Sequence, residues 1–394
     1  MGALKDIRVV DLTRVLAGPF TTMTLGDLGA EIIKVEPFGG DEARGFGPFK
    51  KGVSGYFENV NRGKQSIAID LKHPDGRDLL LELIAKSDVL VENFRPGVMK
   101  KLGLDYETLQ ERFPGLIYAA CSGFGQTGPY ARRGAYDMII QGMGGIVSIT
   151  GEPDRPPVRV GVSIGDIAAA LYSCIGILTA LFTRTQTGRG QMVDIGMLDC
   201  QVALLENAIA RYDMTGTVPE PLGARHPSIT PFQAVETRDG WIMIAAGNNV
   251  LWRRLCEVVE REDLADDARF RDNNLRTENN ADLHTILSDV FRESTTEDWL
   301  GRLDAAEIPC GPIQNVRQVV EDPQVLARDM IVNLLHPVAG ALRVAGSPIK
   351  LSDTPPEVTR HAPALGEHTD QVLKSLLQAS ADDLARWRES GVIR

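Results

Sequence analysis

Two side chains that could act as nucleophiles lie three residues apart in the stretch GVSIGDIAAAL, residues 161–171. Ser163 lies in a G-x-S-x-G pattern, which in serine hydrolases places the nucleophile on a sharp turn between a strand and a helix. Asp166 follows this pattern directly, and an aspartate carboxylate can also attack an acyl carbon and form a covalent intermediate. The stretch therefore allows a serine hydrolase, an enzyme with a carboxylate nucleophile, or an aspartate that only caps a helix.

The local sequence around Asp166 favours a helix cap. Aspartate is a preferred N-cap residue, and the apolar run at 167–182 is the helix that it would cap. The helix dipole and the free N–H groups at this position favour negative charge, so we expect an ionised carboxylate. Gly165 leaves room for a substrate to approach. Capping and nucleophilic attack are therefore compatible roles for Asp166. The G-x-S-x-G pattern around Ser163 is short and common, so it is weak support for a serine hydrolase.

Strands and helices alternate through the first 125 residues, as short apolar runs and as segments with apolar residues at helical spacing. The predicted strands are 7–12, 31–36, 65–71, 89–94 and 116–125, and the predicted helices are 18–30, 73–88 and 95–113. A strand, a crossover helix and a second strand within about 30 residues imply parallel pairing. The order predicts an α/β fold with a doubly wound, mostly parallel, Rossmann-like sheet, which binds ligands beyond the carboxyl ends of its strands.

The character of the chain changes after residue 212. The segment 214–232 is rich in Pro, Gly and Thr and predicts a linker, and 233–249 predicts a hairpin that turns at an Asp-Gly pair. A β-like segment at 340–356 and an amphipathic helix at 368–389 follow later. We therefore expect a large α/β domain (1–224), a smaller α+β domain (225–325) and a C-terminal segment that returns to the large domain (326–394).

The composition is that of a soluble enzyme and argues against several other classes of protein. The formal net charge of −11 argues against binding to nucleic acid or to an anionic membrane, and the apolar run 167–182 is shorter than a membrane span. The five Cys and six His form no pair at metal-ligand spacing, so we expect no metal site, and reduced thiols in a cytoplasmic protein. The absence of G-x-G-x-x-G and P-loop patterns weighs against a standard dinucleotide or triphosphate site.

Six segments, taken together, resemble the family III CoA-transferases, the group that includes formyl-CoA transferase and carnitine CoA-transferase. Each segment alone is modest, but the six follow the family's order and cover most of the first 200 residues. The C-terminal half is similar more loosely, chiefly at DGWIMIAAGN (239–248). The six segments are VVDLTRVLAGPFTTMTLGDLGAEIIKVEPFGGDEAR (9–44), NRGKQSIAIDLKHPDGR (61–77), VLVENFRPGVMKKLGLDY (89–106), IYAACSGFGQTGPYARRGAYD (117–137), GVSIGDIAAALYSCIGILTAL (161–181) and TGRGQMVDIGMLD (187–199).

The resemblance implies that Asp166 is the catalytic nucleophile. CoA would then move from an acyl-CoA donor to an acceptor carboxylic acid, through an anhydride of Asp166 and an aspartyl-CoA thioester. The resemblance implies no metal and no tightly bound cofactor, because the CoA thioester is itself a substrate. It also implies a homodimer in which the two chains interlock.

The resemblance further assigns residues to the CoA site. The implied contacts are Leu16, Ala17, Ile69, Asp70, Leu71, Lys72, Asn93, Phe94, Arg95, Lys101, Tyr136 and Asp137. Pro37 departs from the pattern, because formyl-CoA transferase has a basic nucleotide contact at the matching position. Gly247 and Asn248 match a mobile glycine loop that could shield the anhydride from water, although this chain has a single glycine there.

Two arginines bear on the type of acceptor. Arg14 and Arg44 lie in segments near the implied active site, where a guanidinium could pair with a second carboxylate of the substrate. Such a pair favours a dicarboxylate acceptor, such as succinate, oxalate or a five-carbon diacid. Either arginine could equally form a structural ion pair.

Two other functions share this fold or this ligand. The α-methylacyl-CoA racemases of the same fold family use the aspartate as a base together with a histidine, and Tyr136 occupies the position of that histidine here. A neutral tyrosine is a poor proton acceptor, because its ordinary pKa is about 10. A non-catalytic protein that only binds CoA is the other alternative.

Overall fold

A computed structural model describes residues 2–394 of the chain. The strands are β1 (Arg8–Asp11), β2 (Glu31–Glu36), β3 (Phe49–Lys50), β4 (Val53–Ser54), β5 (Gln65–Ala68), β6 (Val89–Glu92), β7 (Ile117–Ser122), β8 (Met192–Gly196), β9 (Phe232–Glu236), β10 (Trp241–Ala245), β11 (Cys310–Pro312), β12 (Ile331–His336) and β13 (Gly340–Ala345). The α-helices are α1 (Ala17–Asp27), α2 (Gly55–Asn61), α3 (Pro74–Ala85), α4 (Val98–Leu102), α5 (Tyr106–Arg112), α6 (Asp137–Met143), α7 (Ile164–Thr187), α8 (Met197–Leu204), α9 (Asn207–Thr215), α10 (Asn249–Val258), α11 (Asp263–Asp266), α12 (Asn273–Glu278), α13 (Asn280–Phe291), α14 (Thr296–Ala305), α15 (Val316–Val319), α16 (Pro323–Ala327), α17 (Thr369–Leu377) and α18 (Ala381–Glu389). Short 3₁₀ helices cover Glu42–Gly45 and Ile146–Ile149.

The contacts between residues divide the described chain into two compact units. The first unit runs to Ile146 and adds Arg159–Ala210 and Pro323–Arg394. The second unit consists of Val147–Val158 and Arg211–Asp322. Each unit is built around its own buried core, so each can be understood from its own strands and helices.

The first unit is built on a six-stranded sheet in the order β5-β2-β1-β6-β7-β8, in which every neighbouring pair is parallel. The strands are nearly continuous apolar runs because both faces of the sheet are covered. Along β1, Val9 belongs to a core shared with α1 and α7, whereas Val10 belongs to a core shared with α3 and α17. The predicted α/β fold with a large parallel sheet is confirmed.

The strand order of this sheet reverses between β1 and β6. From β1 the chain builds outward through β2 and β5, and from β6 it builds in the opposite direction through β7 and β8. In open α/β sheets such a reversal leaves a crevice beyond the carboxyl ends of the two strands, and ligands bind there. The loops that follow β1 and β6, residues 12–16 and 93–97, therefore border the expected ligand site.

The second unit contains a small antiparallel sheet in the order β11-β10-β9. Strands β9 and β10 form the predicted hairpin, with Trp241 opposite Glu236. The core of the unit includes the buried aromatic side chains Trp252, Phe270 and Phe291. These residues lie on or between helices α10 and α13, so the helices supply most of the large side chains that cover the sheet.

Two helices predicted from the sequence are each divided in the structure. The helix predicted over 95–113 becomes α4 and α5, because Gly103 at φ 69° ends α4. The helix predicted over 368–389 becomes α17 and α18, because Gln378 ends α17 at φ 59° and Ser380 caps α18. In both cases a left-handed residue ends one helix shortly before a new N-cap begins the next.

The C-terminal segment contributes a hairpin and contacts the edge of the sheet. Only Gly340–Ala345 of the β-like segment 340–356 is a strand, and it pairs with β12, which the sequence pattern did not indicate. Helix α17 packs against β5 and α3. After α18, the carbonyl of Val392 accepts the N–H of Asp70 at 3.0 Å. The end of the chain therefore supports the segment that follows β5.

Candidate active site

A cavity of about 170 Å³ lies at the point where the strand order reverses. It brings together eight residues that the sequence had placed at the site: Arg14, Leu16, Ala17, Asn93, Phe94, Arg95, Tyr136 and Asp166. Its lining also includes Val15, Glu42, Ser122, Arg133 and Met197. The cavity therefore collects residues from the ends of β1, β6 and β7 and from the start of α7.

The loop after β1 is joined to the loop after β6 by a pair of hydrogen bonds. The N–H of Arg14 donates to Asn93 Oδ1 at 2.8 Å, and Asn93 Nδ2 donates to the carbonyl of Arg14 at 2.8 Å. The guanidinium carbon of Arg14 also lies 5.2 Å from the centroid of the Phe94 ring. The side-chain amide of Asn93 thus fixes the position of the loop after β1 relative to the loop after β6.

Asp166 is the third residue of α7, and the expectation that it caps this helix is wrong. The N-cap residue is Ser163, whose side chain makes no capping hydrogen bond. The free N–H of Gly165 donates instead to Asp137 Oδ1 at 2.8 Å. A carboxylate distant in sequence thus caps the helix. Among residues 2–394, the carboxyl group of Asp166 has no hydrogen-bond partner.

The electrostatic environment of Asp166 also differs from the expectation of a strongly ionised carboxylate. Burial, together with the negative charge of Asp137, raises the pKa of Asp166 to about 7. Both effects disfavour the anion and outweigh the helix N-terminus. A carboxylate with a pKa near neutrality is a stronger nucleophile than an ordinary one and is still partly ionised at neutral pH. A carboxyl group with this pKa and no hydrogen-bond partner among the described residues is better suited to covalent chemistry than to capping a helix.

Asp137 and Gln141 support the segment that leads into α7. The fully buried Gln141 donates from Nε2 to Asp137 Oδ2 at 2.7 Å and to the carbonyl of Val162 at 3.2 Å. A Cβ atom at Gly165 would lie only 3.0 Å from Asp137 Oδ1, so a glycine allows the close approach of this carboxylate. Asp137 does not line the cavity. Its observed contacts position the start of α7, whereas its predicted contact with CoA stays a prediction.

A second, mostly apolar cavity of about 280 Å³ lies beyond the ends of β1, β2 and β5. Its lining includes Pro37, Ile69, Asp70, Leu71 and Lys72. Arg14 and Phe94 line both cavities, so the two adjoin at this pair. The structure therefore places these four implied CoA contacts, Ile69 to Lys72, beside the Asp166 cavity. Lys72 supplies a basic side chain close to Pro37, where the family's basic contact is missing.

Two of the predicted basic residues are placed differently from the expectation. Lys101 is exposed on α4 and lines neither cavity. Arg44 donates from two nitrogens to Glu36 at 2.7 and 2.8 Å, and its guanidinium carbon lies 3.7 Å from the centroid of the Phe57 ring. A two-point pair of this kind is strong and geometrically specific. The structure therefore favours the structural ion pair for Arg44 over a contact with substrate.

Arg14 is only loosely paired. Its Nη1 lies 3.1 Å from Glu42 Oε1, and both side chains are about half exposed. Exposed pairs of this kind contribute little free energy, typically about 0–1 kcal/mol. Arg14 can therefore exchange Glu42 for a substrate carboxylate or phosphate at small cost.

Arg133 is the basic cavity residue that the sequence interpretation missed. It lines the Asp166 cavity, and its guanidinium carbon lies 4.7 Å from the centroid of the Tyr130 ring. Neither Arg133 nor Arg95 forms an ion pair with any of residues 2–394. The signal that could have identified Arg133 is its position in YARRGAYD, where only Gly134 separates it from the matched triplet AYD. Two unpaired guanidinium groups suit the cavity to phosphate or carboxylate.

The geometry required by the two alternative chemistries is missing from this unit. Residues 159–162, directly before Ser163, form no strand, and Ser163 has an unstrained φ of −76°. A nucleophile elbow needs a strand and a sharp, strained turn, so the serine-hydrolase hypothesis is wrong.

Tyr136 occupies the position of the racemase histidine and is 71% exposed. None of the described residues that line this cavity is a histidine, so the cavity offers no second base of that type.

In the second unit, the segment matched to the family's glycine loop is tied down by its neighbours. Asn248 Oδ1 accepts the N–H of Leu251 at 2.9 Å and so caps α10. The buried Arg276 donates to the carbonyl of Gly247 at 2.8 Å. A Cβ atom at Gly247 would lie 2.0 Å from Cγ2 of Ile229. Packing against Ile229 therefore accounts for the single glycine, and the predicted lid role stays a prediction.

A cluster in the first unit has the spacing of a metal site but the wrong hydrogen bonds. The ligand atoms of Glu58, His336 and His361 lie within 4.8 Å of one another. His336 Nδ1 accepts the N–H groups of Val338 and Ala339 at 3.0 and 3.1 Å. A neutral imidazole in this setting carries its proton on Nε2, which lies 3.4 Å from Glu58 Oε1. A protonated Nε2 has no lone pair for a cation, so hydrogen bonding accounts for the cluster.

The fold and the cavity together describe a doubly wound α/β protein in which a carboxyl group with a raised pKa shares a crevice with two arginines that have no acidic partner among residues 2–394. The chain belongs to CoA-transferase family III, whose family model matches residues 4–369. The predicted family is thereby confirmed. The protein is a transferase, and its family uses CoA thioesters as substrates.

Relatives and solved structures agree with this assignment over nearly the whole chain. A succinyl-CoA:glutarate CoA-transferase of Mus musculus is 41% identical over 395 residues, covering 100% of this chain and 91% of the relative. A succinyl-CoA:mesaconate CoA-transferase of Haloarcula hispanica is 41% identical over 383 residues, covering 95% and 96%. The crystal structure of a CaiB/BaiF family protein from Brucella suis has a TM-score of 0.85 at 40% identity, covering 95% of this chain and 99% of that chain.

Proposed function

We propose that this enzyme transfers CoA from an acyl-CoA donor to a dicarboxylic acid, with Asp166 as the nucleophile. The observation that carries the proposal is that Asp166 shares its cavity with Arg95 and Arg133, two guanidinium groups without an acidic partner among residues 2–394. A guanidinium binds a carboxylate or a phosphate through two parallel hydrogen bonds. The cavity therefore combines a nucleophile with groups that bind the charged parts of such substrates.

The names of the relatives support a dicarboxylate substrate. The mouse relative acts on succinyl-CoA and glutarate, and the Haloarcula relative acts on succinyl-CoA and mesaconate. Each of these acids has a second carboxylate that does not take part in thioester exchange. When one carboxylate of such an acid reacts at Asp166, the other needs a cation in the same cavity. We assign that role to Arg133, with Arg14 as the neighbouring cation.

The first half of the reaction loads CoA onto the enzyme. The Asp166 carboxylate attacks the thioester carbonyl of the donor, the C–S bond breaks, and CoA leaves as a thiolate. The product is a mixed anhydride of Asp166 and the donor acid. The thiolate then attacks the aspartyl carbonyl of the anhydride, and the donor acid leaves as a carboxylate that carries one oxygen of Asp166. Asp166 now holds CoA as a thioester.

The second half reverses these steps with the acceptor. The acceptor carboxylate attacks the aspartyl-CoA thioester, thiolate leaves again, and a new anhydride forms. The thiolate attacks the acceptor's carbonyl, which gives the product acyl-CoA and frees the Asp166 carboxylate with one oxygen from the acceptor. One thioester is exchanged for another, so the overall reaction is close to thermoneutral.

Each of these steps develops negative charge on a carbonyl oxygen. The first turn of α1 has no side-chain cap, and its N-terminal residues Leu16 and Ala17 line the cavity. The free N–H groups of a helix's first turn are donors for an anion. We therefore assign these backbone groups to CoA and to the oxyanions, because preorganised donors are effective in such a site.

The acceptor assignment is tested with a panel of acids and succinyl-CoA as the donor. Glutarate is compared with pentanoate, which has the same chain length but ends in a methyl group. We expect kcat/KM for glutarate to be at least ~100-fold higher, because a site built for a charged group rejects an analogue that lacks it. Arg133→Met should remove most of this preference. The matched control is Arg132→Met, because Arg132 is the adjacent arginine and does not line the cavity.

Equal kcat/KM values for glutarate and pentanoate would contradict the dicarboxylate proposal. Equal losses of preference in Arg133→Met and Arg132→Met would contradict the role of Arg133. Release of tritium or deuterium from the α-carbon of the acyl group, without any acceptor acid, would instead support the racemase alternative.

We also propose that the protein is a homodimer, which the family resemblance implies to be interlocked. Helix α7 packs one face into the core of the first unit through Cys174, Ile177 and neighbouring residues. Leu171, Ile175 and Phe182 form a stripe on its other face and are 48%, 57% and 66% exposed. Exposed apolar stripes of this kind mark interaction surfaces. A second copy of this chain is the occupant that the resemblance supports.

Helix α7 is also long and apolar enough, by length and composition alone, to cross a membrane, and half of its most apolar window is buried. Light scattering coupled to gel filtration distinguishes the two possibilities. We expect a dimer for the natural sequence and a shift toward monomer for Phe182→Glu. A monomer for the natural sequence, or binding of the protein to lipid vesicles through α7, would contradict the proposal.

A further inference from the structure

The loop after β1 contains a backbone conformation that its residue type disfavours. Val15 has φ 67°, in the left-handed region where a β-branched side chain is an outlier. Val15 directly precedes Leu16 and Ala17, and all three line the Asp166 cavity. Backbone strain of this kind persists only where the surrounding structure enforces it, and it occurs preferentially at functional sites. The question is which groups hold Val15 in this conformation.

Side chains of the first unit form hydrogen bonds with each backbone polar group of this loop in turn. The bonds are Thr13 N–H to Asp11 Oδ1 (2.8 Å), Lys34 Nζ to the Thr13 carbonyl (2.8 Å), Arg14 N–H and carbonyl to the Asn93 amide (2.8 Å each), and Val15 N–H to Asp41 Oδ1 (3.1 Å). No backbone polar group between the Thr13 N–H and the Val15 N–H is left to solvent. The path of the chain into α1 is therefore set by side chains rather than by local preference.

Two of these side chains form one buried pair. Lys34 Nζ lies 2.9 Å from Asp41 Oδ2, and both side chains are almost completely buried. Asp41 Oδ1, the oxygen that accepts the Val15 N–H, also accepts the N–H of Ala43 at 2.9 Å, which further fixes the carboxylate. The pair thus anchors both the Thr13 carbonyl and the Val15 N–H, the two backbone groups that lie on either side of Arg14. Loss of one member of such a pair leaves an uncompensated buried charge.

We infer that Lys34 and Asp41 are positioning residues for CoA binding. They hold Val15 in its left-handed conformation, and this conformation places Leu16 and Ala17 at the edge of the Asp166 cavity. Lys34 lines neither cavity, and Asp41, which lines the second cavity, has Oδ1 bound to the Val15 N–H and Oδ2 beside Lys34, so the pair acts through the loop after β1. The inference rests on the proposed function only for the identity of the ligand, which is CoA.

The test combines a change in the pair with two changes at Val15, and it measures binding of CoA to the full chain by calorimetry. Asp41→Ala removes the acceptor of the Val15 N–H, so Val15 relaxes and Leu16 and Ala17 shift. We expect the Kd for CoA to rise about tenfold, with KM for the acyl-CoA donor rising in parallel and kcat changing less. A purely structural role would lower the amount of folded protein but would not change Kd in the folded fraction.

Rescue at residue 15 separates backbone strain from side-chain packing. In the Asp41→Ala background, Val15→Gly should restore most of the affinity, because glycine adopts positive φ without strain. Val15→Ala is the matched control, since it removes the same methyl groups but keeps the Cβ atom that causes the strain. An unchanged Kd in Asp41→Ala, or equal rescue by glycine and alanine, would overturn the inference.

The single variants at Val15 provide a test even if Asp41→Ala does not fold. Alanine is ordinarily more stabilising than glycine, because glycine makes the unfolded chain more flexible. At a position held at φ 67° this order should be reversed, so we expect a higher Tm for Val15→Gly than for Val15→Ala. The opposite order would overturn the inference. A chain that binds CoA in this way but transfers none would contradict the proposed function alone.

Discussion

Two desolvated carboxyl groups of the first unit differ in their partners: Asp11 is fully buried and paired, whereas Asp166 is partly buried at the cavity. Asp11, at the end of β1, accepts the hydroxyl groups of Thr13 and Thr22 and lies 2.9 Å from Lys64 Nζ. Burial alone would raise the pKa of Asp11, but Lys64 and Lys34 lower it to about 2. For Asp166, burial acts together with another negative charge and raises the pKa to about 7.

These differences separate a structural carboxylate, Asp11, from the carboxylate that we propose as the nucleophile, Asp166. Both groups are desolvated, so burial by itself does not identify the reactive residue. The difference is that Asp11 has its charge and its oxygen atoms satisfied, whereas the oxygen atoms of Asp166 have no partner among residues 2–394. A carboxylate that is desolvated and unbound is destabilised, and in the proposed mechanism its attack on a thioester would relieve this state.

The largest expected effect is on catalysis at Asp166. Asp166→Ala should lower kcat/KM for CoA transfer by at least ~10⁴-fold, because no other group can form the covalent intermediate. The Kd for CoA should change little. Ser163→Ala is the matched control from the same turn and should keep activity within about twofold. Activity above one per cent in Asp166→Ala, or a large loss in Ser163→Ala, would contradict the role of Asp166 as the nucleophile.

The next largest effect is on stability at Asp11. Asp11→Asn should lower the free energy of unfolding by ~3 kcal/mol or more, because it leaves Lys64 without its partner in a fully buried site. Urea denaturation followed by circular dichroism measures this change. The same chemical substitution at Asp166 should not destabilise the protein. A cost below about 1 kcal/mol for Asp11→Asn would show that this carboxylate is not the structural element described here.

Asp166→Asn should instead stabilise the protein at alkaline pH. Because the pKa of Asp166 is raised on folding, the folded state binds its proton more tightly than the unfolded state does. The natural protein therefore loses stability as the pH rises from about 4 to about 7. We expect Asp166→Asn to be ~2 kcal/mol more stable at pH 8, within the ~4 kcal/mol that the full shift allows. The difference should shrink at pH 5, and a difference independent of pH would contradict the raised pKa.

The smallest expected effects are on the pH dependence of the rate. In the proposed mechanism only the ionised Asp166 attacks, so kcat/KM for the donor should fall below pH 7 and be about tenfold lower at pH 6 than on the alkaline plateau. Asp137→Asn removes the negative charge near Asp166 and should move this decline to lower pH by a fraction of a unit. Gln141 provides a control, because Gln141→Leu disturbs the same loop without removing a charge. A shift to higher pH in Asp137→Asn would contradict the assigned cause.

Much of the first unit could be predicted from the sequence because its signals are local. The strand EIIKVE at 31–36 is a compact apolar run, and it is a strand over the same residues in the structure. The split of the predicted helix at 95–113 depends on the single left-handed Gly103, whose backbone conformation the helical spacing of the apolar residues does not report. Local patterns thus identify elements well and locate their ends poorly.

The candidate site was less predictable because its decisive contacts join distant segments. The pattern at 161–171 identified Asp166, but the helix is capped by Asp137, which belongs to another element. Arg44 and Arg133 are equivalent as residue types. Arg44 pairs with Glu36, whereas Arg133 lines the cavity and has no acidic partner within the described range 2–394. Which charge is satisfied depends on tertiary contacts, and no spacing along the chain encodes it.

The central claim is that Asp166 becomes acylated during each transfer, and an isotope experiment tests it most directly. The acceptor acid is labelled with oxygen-18 in its carboxylates, the enzyme turns over with succinyl-CoA in ordinary water, and the peptide that contains Asp166 is weighed by mass spectrometry. The proposed steps deliver one acceptor oxygen to Asp166 in every turnover, so the peptide should gain oxygen-18 at the Asp166 side chain. Complete turnover with an unlabelled Asp166 peptide would contradict the claim.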